Sequence, residues 1–256
     1  MTAAPPPCVC GKSFSFAGGM VRFDDGTCHG EWRPCPCRLR PATPEEALKA
    51  AGVPEKEREY TRESLTAFLS QRRTAPKPYT LILDQVIKYL RDGESVLLMG
   101  PNGVFKTSCA VLAMRARLAD GVSVKYVYVP QYISELRTLM QQRERAGKGE
   151  RIDTEEELLE SYLEPDLLVL DDLGAEQITP WARTMLALLV HQRNLRAGAS
   201  TIGTTNLPMR ARKGPTGQTV EGIREHYGSA FESRLLAWQI VLDKLAKLPD
   251  LRRAHR

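Results

Sequence analysis

Lys106 and Thr107 stand together in the run Gly100-Pro-Asn-Gly-Val-Phe-Lys-Thr-Ser108. Ser95-Val-Leu-Leu-Met99, just before it, is a short apolar run that reads as a buried strand. Residues 110–118, just after it, read as a helix. A strand, a glycine-bearing turn and a Lys-Thr pair opening a helix together form the setting of a phosphate-binding loop. The backbone from Gly100 through Pro101, Asn102, Gly103, Val104 and Phe105 to Ser108 would wrap phosphate oxygens, and the helix N-terminus would add partial positive charge. Lys106 would reach the β- and γ-phosphates, and Thr107 would offer its hydroxyl to Mg²⁺. Phe105 stands where such a loop normally has its second glycine. A Cβ and a ring at that place predict backbone strain, conflict with nucleotide, or both. The alternative is a strand–turn–helix corner that binds no nucleotide.

A second constellation follows about 65 residues later in an alternating strand–helix chain. Pro165-Asp-Leu-Leu-Val-Leu-Asp-Asp172 is an apolar strand ending in two carboxylates. Asp171 would hold Mg²⁺, directly or through water, and Asp172 would polarise the attacking water. Thr201-Ile-Gly-Thr-Thr-Asn206 is a further short strand with a polar tip, and Asn206 could orient that water. Ligands sit at the carboxyl ends of such sheets, so the three tips are expected side by side.

The elements that must position these residues are legible in outline. Helices are expected over 44–51, capped by Thr43, over 79–92, over 132–142, from Thr154, and from Thr179 to about Arg196. Ser123–Val129 alternates and is rich in β-branched and aromatic residues, so it reads as a strand. The polar run 141–149 reads as an exposed loop. Residues 220–236 read as a helix interrupted at Gly222 and Gly228, its end placing the Arg234 guanidinium at an exposed tip. Trp238–Leu242 reads as the last strand.

The first 40 residues differ from the rest. Five of the six cysteines lie there: Cys8, Cys10, Cys28, Cys35 and Cys37. Clustering of this kind in a cytosolic chain favours metal over disulfides. Cys8, Cys10, Cys35 and Cys37 would give Zn²⁺ a tetrahedral thiolate set, and Cys28 or His29 could replace one of them. The alternative is a set of free thiols on an arm without fixed structure. The expected domains are 1–42, a Cys-rich zinc-binding domain; 43–78, a helical linker; and 79–256, the nucleotide-binding domain.

The 256 residues suffice for one α/β domain and an appendage, and no apolar run approaches the length of a membrane span. The N-terminus lacks the pattern of a signal peptide, so the expected location is cytoplasmic, with no membrane partner. The net charge of +5 is uneven. Residues 207–256 carry 10 basic and 5 acidic side chains, whereas residues 80–206 carry 14 and 17. A basic end suits a nucleic-acid backbone, or is simply a solvated surface.

Taken together, the motifs resemble those of the DnaC/IstB-like AAA+ ATPases, the bacterial and phage helicase loaders and their transposition relatives. The residues that carry the likeness are 93–107, 167–174, Thr204-Thr-Asn-Leu-Pro208 and Ser233-Arg-Leu235, with Ala51-Gly-Val-Pro54 and the Cys-x-Cys pairs fitting zinc-bearing loaders. The resemblance implies a P-loop AAA+ three-layer αβα core with a parallel sheet and a truncated lid. It makes Lys106 and Thr107 the Walker A pair, Asp171 and Asp172 Walker B, and Asn206 sensor 1. Arg234 becomes an arginine finger acting on a neighbour's ATP, and Arg252 becomes sensor 2. The implied function is an ATPase that binds a DnaB-like hexameric replicative helicase and single-stranded DNA and self-associates through its ATP sites. The implied cofactors are ATP, Mg²⁺ and Zn²⁺. Two other readings stay open: a transposition helper of the IstB type, and a non-catalytic DNA- or partner-binding protein in which Phe105 has disabled the loop.

Overall fold

In the computed structural model, residues 20–22, 32–34, 43–145, 155–177, 179–214, 217–241, 245 and 248–251 are described. The chain divides into two compact units, Met1–Ala47 and Leu48–Arg256. In the first unit β1 (Met20–Arg22) pairs antiparallel with β2 (Trp32–Pro34), with Val21 opposite Arg33. The proposed zinc ligands Cys8, Cys10, Cys35 and Cys37, and the substitutes Cys28 and His29, lie outside the described residues. Helix α1 (Pro44–Ala50) starts from the expected cap: Glu46 N–H donates to Thr43 Oγ1 at 3.2 Å, and Thr43 N–H donates to Glu46 Oε2 at 3.1 Å.

The second unit runs α2 (Glu55–Arg58), α3 (Arg62–Gln71), α4 (Lys77–Arg91), β3 (Val96–Met99), α5 (Lys106–Ala119), β4 (Val124–Tyr128) and α6 (Val129–Arg145). It continues with α7 (Glu155–Leu163), β5 (Leu167–Leu173), α8 (Pro180–Leu195), β6 (Ser200–Thr205), β7 (Arg212–Lys213), β8 (Thr219–Val220), α9 (Ile223–Tyr227), α10 (Ser229–Leu235) and β9 (Gln239–Val241). Five strands form one parallel sheet in the order β4-β5-β6-β3-β9. Such a sheet is covered on both faces, which is why β3 reads as an unbroken apolar run. Val96 and Leu98 pack into one cluster with residues of α3, α4 and α5. Leu97 and Met99 pack into a second cluster with residues of α6, α8 and α10. This alternation puts helices on either side of the strands and leaves the strand ends clear for chemistry.

Two expectations are corrected. Residues 141–145 belong to α6 rather than to a loop. Val220 is not helical: Arg212 pairs with Val220 and Lys213 with Thr219 in a two-stranded hairpin, and the helix starts only at Ile223. Pairing across that turn is a contact that helical periodicity cannot register.

One buried residue ties the sheet to α8. Arg193 is 2% exposed. Its guanidinium donates to the carbonyl oxygens of Leu163 (2.9 Å), Pro165, Asp166 (3.1 Å) and Ser200 (2.6 Å), and to Thr201 Oγ1 (3.3 Å). Burial lowers its pKa to about 10, so it keeps its charge at neutral pH. Among the described residues no helix is long and apolar enough to cross a membrane.

Candidate functional site

A cleft of about 960 Å³ opens at the carboxyl ends of β3, β5 and β6, and the loop 102–107 lines one side of it. Gly103 has φ +81° and Phe105 φ +75°, whereas Val104 between them does not adopt a positive φ. Alternation of this kind turns successive backbone N–H groups towards one concavity, a nest for anions. Helix α5 begins directly behind it at Lys106 and adds its N-terminal dipole. Gly103 is favoured by its backbone and closely approached by a side chain. Its left-handed φ suits glycine, and a Cβ there would lie 1.8 Å from an Asp250 carboxylate oxygen. Leu251 N–H also donates to Gly103 O at 3.0 Å, so residues near the C-terminus lie against the loop.

The lysine and the three acidic or amide residues lie together at this cleft. Lys106, 7% exposed, donates to Gly100 O (2.9 Å), Pro101 O (2.8 Å) and Asn206 Oδ1 (2.7 Å). Asn206 Nδ2 donates in turn to Asp172 Oδ1 at 3.1 Å. One chain of contacts therefore links the loop, the tip of β6 and the tip of β5. Pairing of β5 with β6 slips between Leu170 and Leu173, and Asp172 has φ +64°. This irregularity re-aims the two neighbouring carboxylates, which a regular strand would send to opposite faces.

Asp171 is the more enclosed of the two. Its Oδ1 accepts from Thr204 Oγ1 (2.7 Å) and Thr107 Oγ1 (3.1 Å), and its Oδ2 accepts from Tyr126 OH (2.6 Å), with Thr107 at 3.2 Å. Burial, then the nearby Asp171 charge and the bond to it, push the Tyr126 phenol far above its usual pKa, so it stays a donor. A buried carboxylate beside a threonine hydroxyl is an all-oxygen donor set, which fits a hard cation such as Mg²⁺. Sequence reasoning missed Tyr126 and Thr204 as partners of Asp171. Both lie in runs it read as strands, but the register that sets Tyr128 opposite Asp171 is a property of the folded sheet.

Phe105 shows the expected strain but also a packing role that the sequence did not suggest. Its backbone does adopt the strained left-handed region. Its side chain, however, is only 4% exposed and belongs to the apolar cluster, with its ring edge-on to Tyr79 at 5.4 Å between centroids. Strain at a non-glycine αL residue costs about 1–2 kcal/mol, whereas deleting a buried phenylalanine costs about 3–5 kcal/mol. Packing wins. Phe105→Gly should therefore destabilise the fold by about 2–3 kcal/mol in chemical denaturation, with Mg·ATP affinity within about threefold of the parent. A Gly variant as stable as the parent that binds ATP tenfold tighter would show that the ring obstructs the cleft.

Arg234 lies on α10, donates to Ala230 O at 2.7 Å, and does not line the cleft. Arg252 lies outside the described residues. Among the described residues no group of three or more His, Cys, Asp or Glu side chains is arranged to hold a metal ion.

Comparison with known proteins bears on this site. Residues 70–217, more than half of the chain, match the family model described as IstB-like ATP binding protein. The replicative helicase loader DnaI of Bacillus subtilis is 29% identical over 114 residues, an alignment covering 44% of this chain and only 33% of that protein. Among solved structures, the DnaC helicase loader aligns over 63% of this chain and 86% of its own at 19% identity, with a TM-score of 0.48. AMPPCP-bound DnaA from Aquifex aeolicus aligns over 63% of this chain and 44% of its own at 15% identity, with a TM-score of 0.47. The family match contains the phosphate loop, both aspartates and Asn206, and on that match the chain belongs to the IstB-like ATP binding proteins.

Proposed function

We propose that this chain is an AAA+ ATPase that loads a hexameric replicative helicase onto single-stranded DNA. The observation that carries the reading is the convergence of Lys106, Thr107, Asp171, Asp172 and Asn206 on one cleft. Lys106 and the loop N–H groups bind the phosphates, and Thr107 with Asp171 would hold Mg²⁺. That cation screens the charge of the β- and γ-phosphates when bound. Asp172, oriented by the Asn206 amide, accepts a proton from the attacking water. Arg234, outside its own cleft, completes the site of a neighbouring subunit, so ATP links protomers. The match to the loader DnaI supports the helicase as partner. The cysteine-rich residues 1–42 carry that contact, and the basic residues of 207–256 suit the DNA.

The family match itself favours a second reading, an IstB-type transposition helper acting on duplex DNA. One experiment separates the two. The purified protein, with ATP or ADP, is mixed with a hexameric replicative helicase and with single-stranded or duplex DNA, and complexes are resolved by size. Retention of the helicase and transfer to single strands in ATP supports the loader. ATP-dependent filaments on duplex DNA with no helicase retained would replace it with the transposition helper.

A further inference from the structure

The geometry points to Tyr126 as a positioning residue for the metal, a clamp that holds Oδ2 of Asp171 so that the carboxylate meets the cation in one fixed orientation. The inference rests on the Mg·ATP reading of this cleft. An ionised carboxylate offers about four lone-pair sites. Thr204 takes one on Oδ1, Tyr126 takes one on Oδ2, and Thr107 lies within 3.1–3.2 Å of both oxygens. Little capacity remains, so Asp171 has about one lone pair left for a cation rather than the two that bidentate grasp needs. The three hydroxyls come from three different elements, α5, β4 and β6, so neither oxygen can swing away without breaking a contact.

What places the Tyr126 hydroxyl is a second feature that the site itself does not use. Strand β4 is the outer strand of the sheet, and the N–H of Tyr126 has no strand beyond it to bond. The turn after α1 supplies the partner: Tyr126 N–H donates to Ala51 O at 2.7 Å. Gly52 follows with φ +88°, and a Cβ there would lie 3.0 Å from Tyr126 O. The Ala51-Gly-Val-Pro54 segment is therefore a hook that caps the sheet edge at the β4 residue whose side chain grips Asp171. Residues that orient a metal ligand typically change metal affinity by about 10–100-fold when removed.

The test measures binding rather than turnover. A fluorescent ATP analogue is titrated against the full chain in EDTA and then at rising Mg²⁺, for the parent and for Tyr126→Phe. The expected result is a Mg²⁺ midpoint raised about tenfold or more in the variant, with affinity in EDTA within twofold of the parent. A merely structural role would weaken both together, and that outcome, or an unchanged midpoint, overturns the inference. If Tyr126→Phe does not fold, Gly52→Ala takes its place. It presses on the Tyr126 carbonyl while replacing no residue that lines the cleft, and the same selective rise in the midpoint is expected. Failure of the parent to bind nucleotide at any Mg²⁺ concentration would instead overturn the ATP reading.

Discussion

Lys106→Ala should bind Mg·ATP roughly a hundredfold more weakly than the parent, the loss of about 3 kcal/mol from charge-assisted hydrogen bonds to phosphate. The ammonium lies at the centre of the loop, within 3 Å of Gly100 O, Pro101 O and Asn206 Oδ1. Among the described residues that line the cleft, Lys56 and Arg72 are the other basic side chains, and the Arg72 guanidinium donates to Leu251 O. The fold should survive, because the alanine removes a nearly buried charge and the oxygens it leaves can be rehydrated from an open cleft. Thermal melting without nucleotide is therefore expected within a few degrees of the parent. Isothermal titration with the non-hydrolysable analogue AMPPCP checks the affinity. Binding within fivefold of the parent would remove Lys106 from the phosphate site. A subtler consequence concerns Asn206. With the lysine gone, its amide keeps only the Asp172 contact on this chain and becomes free to turn.

Arg193→Met should unfold about 10 °C earlier than the parent. Arg193 is not near the cleft, and its importance lies in accounting for backbone oxygens. It serves four carbonyls and one hydroxyl in a region where its own exposure is 2%. Each buried acceptor left without a donor costs about 1–3 kcal/mol. Leu163 O keeps the Arg196 guanidinium and Asp166 O keeps the Ser200 N–H, so the net loss from the remaining acceptors is about 4 kcal/mol, and 1 kcal/mol shifts Tm by about 2–4 °C in a chain of this size. Methionine fills much of the arginine volume, which isolates the lost hydrogen bonds from any cavity. Lysine should rescue little, because a single ammonium cannot fan out to acceptors on α7, the turn into β5, and β6. A circular-dichroism melt of the Met variant within 2 °C of the parent would show that the carbonyls find other donors.

Much of the site was legible because its elements are local. The apolar runs before Gly100, Asp171 and Asn206 are each strands in the structure. The start of α8 at the Thr179-Pro cap is likewise written in adjacent residues, with Ala182 N–H donating to Thr179 Oγ1 at 3.2 Å. What was not legible depends on contacts between distant segments. Phe105 was expected to strain the loop, and its φ of +75° does so, but the place that Tyr79 on α4 gives its ring in the core was not legible. Tyr126 looks like one more strand aromatic until the pairing of β4 with β5, which sets it opposite Val169, lets its hydroxyl reach Asp171 two residues further on. Arg193 looks like an ordinary polar position late in a helix, and only the packed ends of β5 and β6 make it a hub. Periodicity reports which face a residue occupies, and it is silent on what waits there.

Strand β3 leads into the phosphate loop, yet its two hydrogen-bonded neighbours are β6 and β9, both far later in the chain. The order of synthesis gives this arrangement a consequence. Chains emerge from the ribosome at about 5–20 residues per second, so Val96–Met99 waits on the order of ten seconds with neither edge paired. During that interval the Gly100–Ser108 segment has no wall at β6 to hold Asn206 against Lys106 and no Leu251 to meet Gly103. A nascent chain stalled before residue 200 should therefore not retain ATP, however complete its Lys-Thr motif. The most conspicuous chemical signature of the molecule is translated early and assembled last, and until then its apolar strand stands with both edges bare.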